Sequence, residues 1–376
     1  MKFLITGSIC NLDISFGELL IKHGHRVSIL RSRNESKVDF HDLAHFPKYV
    51  TMDDIKYTSG AWDTYRELRN SDVVLSISAG IIGKFGKFWM LSPLLVGKPL
   101  FSVASGSDLS ELIMQKNVTA WIYRWILRRS VRIITHPFPM IVKNLQQLDL
   151  VKKTSNIPYP LFFSDAKSRR AVPRQGPLRV LHATNLDWGV KDTGSWRNSS
   201  KGNDIFIKGI LDAMKLGADI ECLITYRGPD REIAKQWIDD SGFSEKFKWI
   251  GEVNQLAVQE LIAEVDLVVD QFTVGAFGLI ALEAMSLGTP VLLRLDDQYL
   301  RDLYPGDEQV PVINLTNAEE ITRFLVQANP NELRYIGLQA REWVLRNHDI
   351  DAARFAKLFE LIEELATSFS GEGMPR

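Results

Sequence analysis

The densest chemical signal lies in residues 274–293, VGAFGLIALEAMSLGTPVLL. A glycine-bearing turn follows an apolar run ending at Asp270, and a helix is predicted from Phe277 to Gly288, before Pro290 opens another strand. The start of a helix leaves N–H groups unpaired and carries the positive end of the backbone dipole, so it suits a phosphate. Gly275 and Gly278 would let a diphosphate come close to the main chain. Glu283 falls about 1.5 turns inside that helix. A carboxylate there can accept hydrogen bonds from ribose hydroxyls; the alternative is a polar residue on the solvent face of a packed helix.

A second group opens the same half of the chain. The run RVLHA, residues 179–183, leads into a long loop that ends in Arg197 and Lys201 just before a helix. Cations at that point can stabilise negative charge growing on a departing nucleoside diphosphate, with Asn198, Ser199 or Ser200 capping the helix. The alternative is an exposed loop with two surface cations. Arg227, in TYRGP after another strand, and Gly7, after the first strand, are weaker phosphate candidates. Asp108 follows PLFSV and either orients a hydroxyl or caps the next helix. His136 and His182 each end a strand, as hydrogen-bonding groups for a sugar or phosphate or as structural histidines.

These residues need a scaffold that gathers strand ends. Strands are predicted at residues 2–6, 26–31, 72–77, 99–103 and 132–135, then at 178–182, 220–225, 247–250, 266–270 and 290–294, with helical patterns between them. Alternation of this kind argues for parallel, doubly wound sheets. Residues 164–177 (SDAKSRRAVPRQGP) are basic and rich in Pro and Gly, and break the rhythm as a linker. The expected fold class is α/β, with two doubly wound, Rossmann-like domains facing across a cleft. The N-terminal domain covers 1–163, the second domain 178–349, and a last helix is expected within 350–376. Ligands of such sheets sit beyond the carboxyl ends of the strands.

Length and composition set the bounds. The 376 residues suit two or three domains, and two cysteines, Cys10 and Cys222, exclude a disulfide scaffold and a cysteine-based zinc site. No apolar run reaches the roughly 18 residues of a spanning helix, and the start lacks a signal-peptide pattern. A cytoplasmic protein is expected. The phosphate-binding pattern G-x-x-x-x-G-K-[ST] is absent, which argues against an ATPase. No metal-ligand cluster stands out, and no cofactor is expected. The net charge of −1 hides a split: residues 1–176 hold 25 Lys+Arg and 14 Asp+Glu, a balance of +11, and the rest hold 20 and 32, a balance of −12. Such a split points to an anionic partner for the first half.

The stretch FGLIALEAMSLGTPV resembles the helix motif of GT-B retaining glycosyltransferases of family 4, which reads E-G-F-G-L, three residues, E-A-M, then G-x-P-V. Residues 251–271 and the helices within 330–368 are also similar to that family, and Gly106-Ser107-Asp108-Leu109 is similar to its G-S-D stretch. The resemblance implies a GT-B architecture and a nucleotide-sugar donor. It implies that Glu283 binds the donor ribose and that the backbone at Phe277, Gly278 and Leu279 contacts the diphosphate. It further implies that Arg197 and Lys201 are the family's phosphate cations and that Val253 contacts the base. Two departures touch sugar handling: the family's first glutamate falls on Gly275, and its usual histidine on Ser105.

The implied activity is metal-independent transfer of a sugar, with retention, from a UDP- or GDP-sugar to a glycan or lipid-linked acceptor. The alternatives are a non-catalytic nucleotide-sugar-binding protein and a sugar-nucleotide epimerase. For the acceptor side, residues 118–132 place Val118, Trp121, Ile122, Trp125 and Ile126 on one helical face and Arg124, Arg128 and Arg132 on another. Residues 83–89 (GKFGKFW) mix basic and aromatic side chains nearby. Together they suit an anionic membrane surface; the alternative is a core helix with solvated arginines. No nucleic-acid motif is recognised.

Overall fold

The computed structural model describes residues 1–7, 11–32, 48–58, 61–78, 97–104, 106–161, 176–189 and 201–371. Several sequence expectations lie outside these residues: most of the 164–177 linker, residues 83–89, Ser105, Arg197 and residues 198–200. The chain divides into two compact units, Met1–Ser164 with Asn347–Arg376, and Asp165–Arg346.

The first unit is built on seven parallel strands: β1 (Lys2–Thr6), β2 (Arg26–Ser32), β3 (Ile55–Thr58), β4 (Val73–Ile77), β5 (Leu100–Val103), β6 (Arg132–Thr135) and β7 (Thr154–Asn156). Their order is β3-β2-β1-β4-β5-β6-β7. Ile5 sits opposite Ile29 on one side and Leu75 on the other. Helices α1 (Leu12–Lys22), α2 (Ala61–Arg69), α3 (Ser107–Ser110), α4 (Val118–Arg129) and α5 (Pro139–Gln147) connect the strands. Central strands such as β1 and β4 are apolar on both faces because helices cover both sides of a parallel sheet.

The second unit has six parallel strands: β8 (Leu178–His182), β9 (Ile220–Thr225), β10 (Phe247–Ile250), β11 (Leu267–Val269), β12 (Val291–Leu293) and β13 (Ile313–Asn314). They run in the order β10-β9-β8-β11-β12-β13. The helices are α6 (Asn203–Lys215), α7 (Arg231–Asp240), α8 (Gln255–Glu264), α9 (Leu279–Ser286), α10 (Asp297–Leu303), α11 (Ala318–Gln327) and α12 (Pro330–His348); α13 (Arg354–Gly371) belongs to the first unit. Val180, Phe206, Ile210, Ile224, Val269 and Leu292 form the heart of this unit's core.

Both sheets have the doubly wound topology expected from the alternation. Two local expectations need correction. Helix α9 begins at Leu279, with Gly278 as its N-cap, so Phe277 lies outside the helix. Its ring packs against Tyr299, Tyr304 and Trp343 in an aromatic cluster. On α4 the buried side is Ala120, Tyr123, Ile126 and Leu127, while Val118 and Trp121 are 67% and 61% exposed. Ile122 and Trp125 pack, partly buried, against the same core, so the apolar face read from the sequence is split between core and solvent, with Tyr123 reaching inward to a buried partner, Asp108.

Candidate functional site in the second unit

Every strand of the second sheet points the same way, so the residues that follow them share one edge. The strand order reverses between β8 and β11, and open α/β sheets bind ligands at the carboxyl ends of the strands beside such a switch point. The loop after β8 and the turn after β11 meet there.

The β8 side is pinned from within. Asn203 is fully buried at the start of α6; its Nδ2 donates to His182 Nε2 at 2.8 Å and its Oδ1 accepts from the Asp187 backbone at 3.0 Å. His182 is fully buried against the Phe206 ring, and burial pushes its imidazole down to about 4. Gly202 caps α6 with φ +65°, and a Cβ on it would lie 2.6 Å from Thr273 Cγ2. Only glycine fits that close approach. The Lys201 backbone is held on both sides, its N–H by Asp187 O at 2.6 Å and its carbonyl by the Phe272 N–H at 2.8 Å. Its ammonium donates to Gln271 Oε1 at 3.0 Å.

The β11 side supplies the glycine turn. Gln271 Nε2 donates to the carbonyl of Ala276, and Gly278 N–H donates to Asp270 Oδ2 at 2.6 Å. A Cβ at Gly278 would stand 2.6 Å from both Asp270 oxygens. Asp270 is buried, and burial pushes its carboxyl up to about 6 against the pull of Lys201 and the Gly278 N–H. Its Oδ1 has no hydrogen-bond partner among the described residues. Gly275 has φ +73°, and a Cβ there would meet Asp296 Cβ at 3.0 Å. The backbone at the position of the family's first glutamate is therefore shaped for glycine.

Farther along α9, Glu283 Oε1 accepts from Gln255 Nε2 at 2.6 Å. Glu283 is only half-buried, yet the protein around its carboxyl is dense enough to push it up to about 7, against that hydrogen bond. Gln255 is the first residue of α8 and follows Val253 and the N-cap Asn254, so Glu283 and the Val253 loop are neighbours. Arg227 ends the β9 side, half-exposed, 3.4 Å from Glu252.

The structure thus brings Lys201 to the Gly275–Gly278 turn and Glu283 to the Val253 loop, with Leu279 opening the helix between them. Asp270 was read from sequence only as the end of a strand, and Gln271 only as the end of the stretch 251–271. Their signal was two polar residues closing a run of buried apolar ones just before a glycine turn.

In the first unit, Gly7 follows β1 with φ +79°. Asp108 is not an open carboxylate: it is buried, Oδ2 accepts from Tyr123 Oη and Oδ1 from the Leu109 N–H, both at 3.0 Å, and burial pushes it up to about 6. It sits inside α3 rather than at its cap. His136 is buried, stacked 3.9 Å from Tyr159, and burial lowers its imidazole to about 3. Both side chains are thus held inside the first unit.

Comparison with known proteins fits this geometry. Residues 199–303 match the family described as glycosyl transferases group 1. No curated protein sequence matches the chain significantly. Among solved structures, sucrose-phosphate synthase from Thermosynechococcus elongatus superposes with a TM-score of 0.60 at 16% identity, covering 96% of this chain and 99% of its own. The lipopolysaccharide outer core galactosyltransferase WaaB gives 0.54 at 15%, covering 97% and 99%. A variant of S. aureus TarM, solved with Fondaparinux, alpha-GlcNAc-glycerol and UDP, gives 0.55 at 16% over 81% of this chain, which spans 58% of that protein's length. With its two parallel sheets, the chain shares the GT-B fold of these structures, and the stretch that matches the glycosyl transferases group 1 family lies in its second unit.

Proposed function

We propose that the chain transfers a sugar from a nucleotide-sugar donor to a glycan or lipid-linked acceptor, with retention and without a metal. The observation that carries this reading is the placement of Lys201 beside the turn that opens α9, with Glu283 farther along the same helix. Diphosphate oxygens would take the N–H groups around Gly278 and Leu279 and the Lys201 ammonium. The ribose hydroxyls would donate to Glu283, and the base would lie along the Val253 loop. Arg197 would add a second cation and Arg227 a peripheral one. During transfer the bond from sugar C1 to the phosphate oxygen breaks and a bond from C1 to the acceptor oxygen forms on the same face. The acceptor proton passes to the leaving diphosphate, whose negative charge the cations hold.

The acceptor side is assigned to the first unit, whose residues 112–148 hold six Lys and Arg and no Asp or Glu. Exposed Trp121, Val118 and Met114 stand among Lys116, Arg128 and Arg129. Such a surface suits anionic lipid heads, and the chain would work in the cytoplasm at the inner face of a membrane. No described helix is long and apolar enough to cross one.

Titration calorimetry with UDP and GDP tests the donor reading. One of the two should bind, and Glu283→Ala should weaken it about 10-fold or more, as loss of charged hydrogen bonds does. Binding of neither nucleotide sinks the proposal. Binding without turnover of any UDP- or GDP-sugar, by hydrolysis or transfer, would leave a non-catalytic binding protein instead.

A further inference from the structure

The residue between Lys201 and the glycine turn is Gln271, 2% exposed. Its amide is used at both ends. The carbonyl Oε1 accepts from Lys201 Nζ at 3.0 Å, and Nε2 donates to the carbonyl of Ala276. The main chain reinforces the same connection, since Phe272 N–H donates to Lys201 O at 2.8 Å. One buried side chain therefore spans the two parts that would hold a diphosphate.

Its chemistry matters as much as its place. A buried amide must satisfy both its donor and its acceptor, and here each is satisfied by a part of the site. A neutral carbonyl can fix an ammonium in position without cancelling its charge. A carboxylate at the same place would form an ion pair with Lys201 and lower its attraction for phosphate. An apolar side chain would leave the ammonium free to swing on its four-carbon stem. Gly275 adds to the need for an internal brace, because a glycine at φ +73° offers no side chain of its own to steady the turn.

We propose that Gln271 is a positioning residue of the donor site, setting the gap between the Lys201 ammonium and the 275–278 turn without itself touching the donor. This rests on the reading of that turn as a nucleoside-diphosphate site. A misplacement of about 1 Å at such a site costs up to about 100-fold in rate.

The test combines two variants with a second background. Gln271→Met keeps length and volume and removes both hydrogen bonds. Gln271→Glu keeps an acceptor for Lys201, adds a negative charge and loses the donor to Ala276. UDP and GDP affinities are measured by titration calorimetry, and kcat and KM for hydrolysis of UDP- or GDP-sugars, in the full chain and again with Lys201→Ala. Gln271→Met should lower affinity and kcat/KM about 10- to 100-fold. Gln271→Glu should lose at least as much. With Lys201 already replaced, most of the Gln271→Met effect should vanish, because the two residues act as one unit. A merely structural glutamine would cost the same in both backgrounds, and that result overturns the inference. So does either variant binding as tightly as the wild type. If the wild type binds nucleotide and the variants are unchanged, only this inference fails. If the wild type binds neither nucleotide, the donor reading fails and takes this one with it.

Discussion

Glu283 illustrates how a carboxylate held inside dense protein weighs on the fold around it. Burial raises it from the ordinary 4.5 to about 7. Between those values the folded protein keeps a proton that the unfolded chain has released, so stability falls as pH rises through that window. Asp270, raised from 3.8 to about 6 by burial, acts in the same direction one window lower. Glu283→Gln removes the upper part alone. Its melting temperature relative to wild type should therefore climb between pH 5 and pH 8, measured by scanning calorimetry, while nucleotide affinity drops. A constant offset across that range would show that Glu283 does not titrate there. At this scale the sequence was readable where one segment held all the parts: Gly278, Leu279 and Glu283 lie within six residues and kept their places. Gln271 was not readable, because its partner Lys201 lies 70 residues away and only the sheet joins them. Phe277 misled for a related reason. Its ring serves an aromatic cluster supplied by Tyr299, Tyr304 and Trp343, which no local pattern announces.

Among the elements, the central strands were legible, and three of the four edge strands were not. β1, β6, β8 and β9 have the expected bounds, since largely apolar runs between turn residues mark strands buried on both faces; the edge strand β10 also has its expected bounds, although Lys248 is exposed. β3, β7 and β13 were missed. Each is two to four residues long, and Lys56 and Tyr57 of β3 and Asn156 of β7 are exposed, so an edge strand lacks the apolar run that identifies a central one. The amphipathic pattern of α4 was seen, but its inward direction depends on the hydroxyl of Tyr123 finding Asp108. The link from β8 to α6 offers a direct check on element packing. Gly202→Ala combines a left-handed φ with a contact of 2.6 Å to Thr273. It should cost about 1–3 kcal/mol, read as a lower denaturation midpoint of the second unit. It should also weaken nucleotide binding, because Lys201 is its neighbour. An unchanged midpoint would mean that the loop relaxes freely.

At the scale of the whole chain, charge is the clearest feature that the sequence offers and the fold leaves intact. The +11 balance of residues 1–176 includes the basic residues on and near α4, where Trp121, Lys116, Arg128 and Arg129 are all exposed. The protein should co-sediment with vesicles rich in anionic lipid at low salt and come off as salt is raised. Reversing Arg128 and Arg129 to Glu should lower that binding about 10-fold or more, at about 1 kcal/mol per basic residue near the surface. Equal binding to neutral and anionic vesicles would remove the charge argument. The first unit also has a less obvious property. It is assembled from two distant stretches, with α13 supplying buried Phe355, Leu358 and Phe359. Phe359 stacks on His23 at 3.9 Å, Asp351 pairs with Lys22, and the His348 carbonyl accepts from Leu161 N–H at 2.8 Å. A chimera that exchanges the first unit with a relative's therefore cannot be made by swapping one front-end cassette. The tail must travel with it, or the transplanted piece arrives with an uncovered flank.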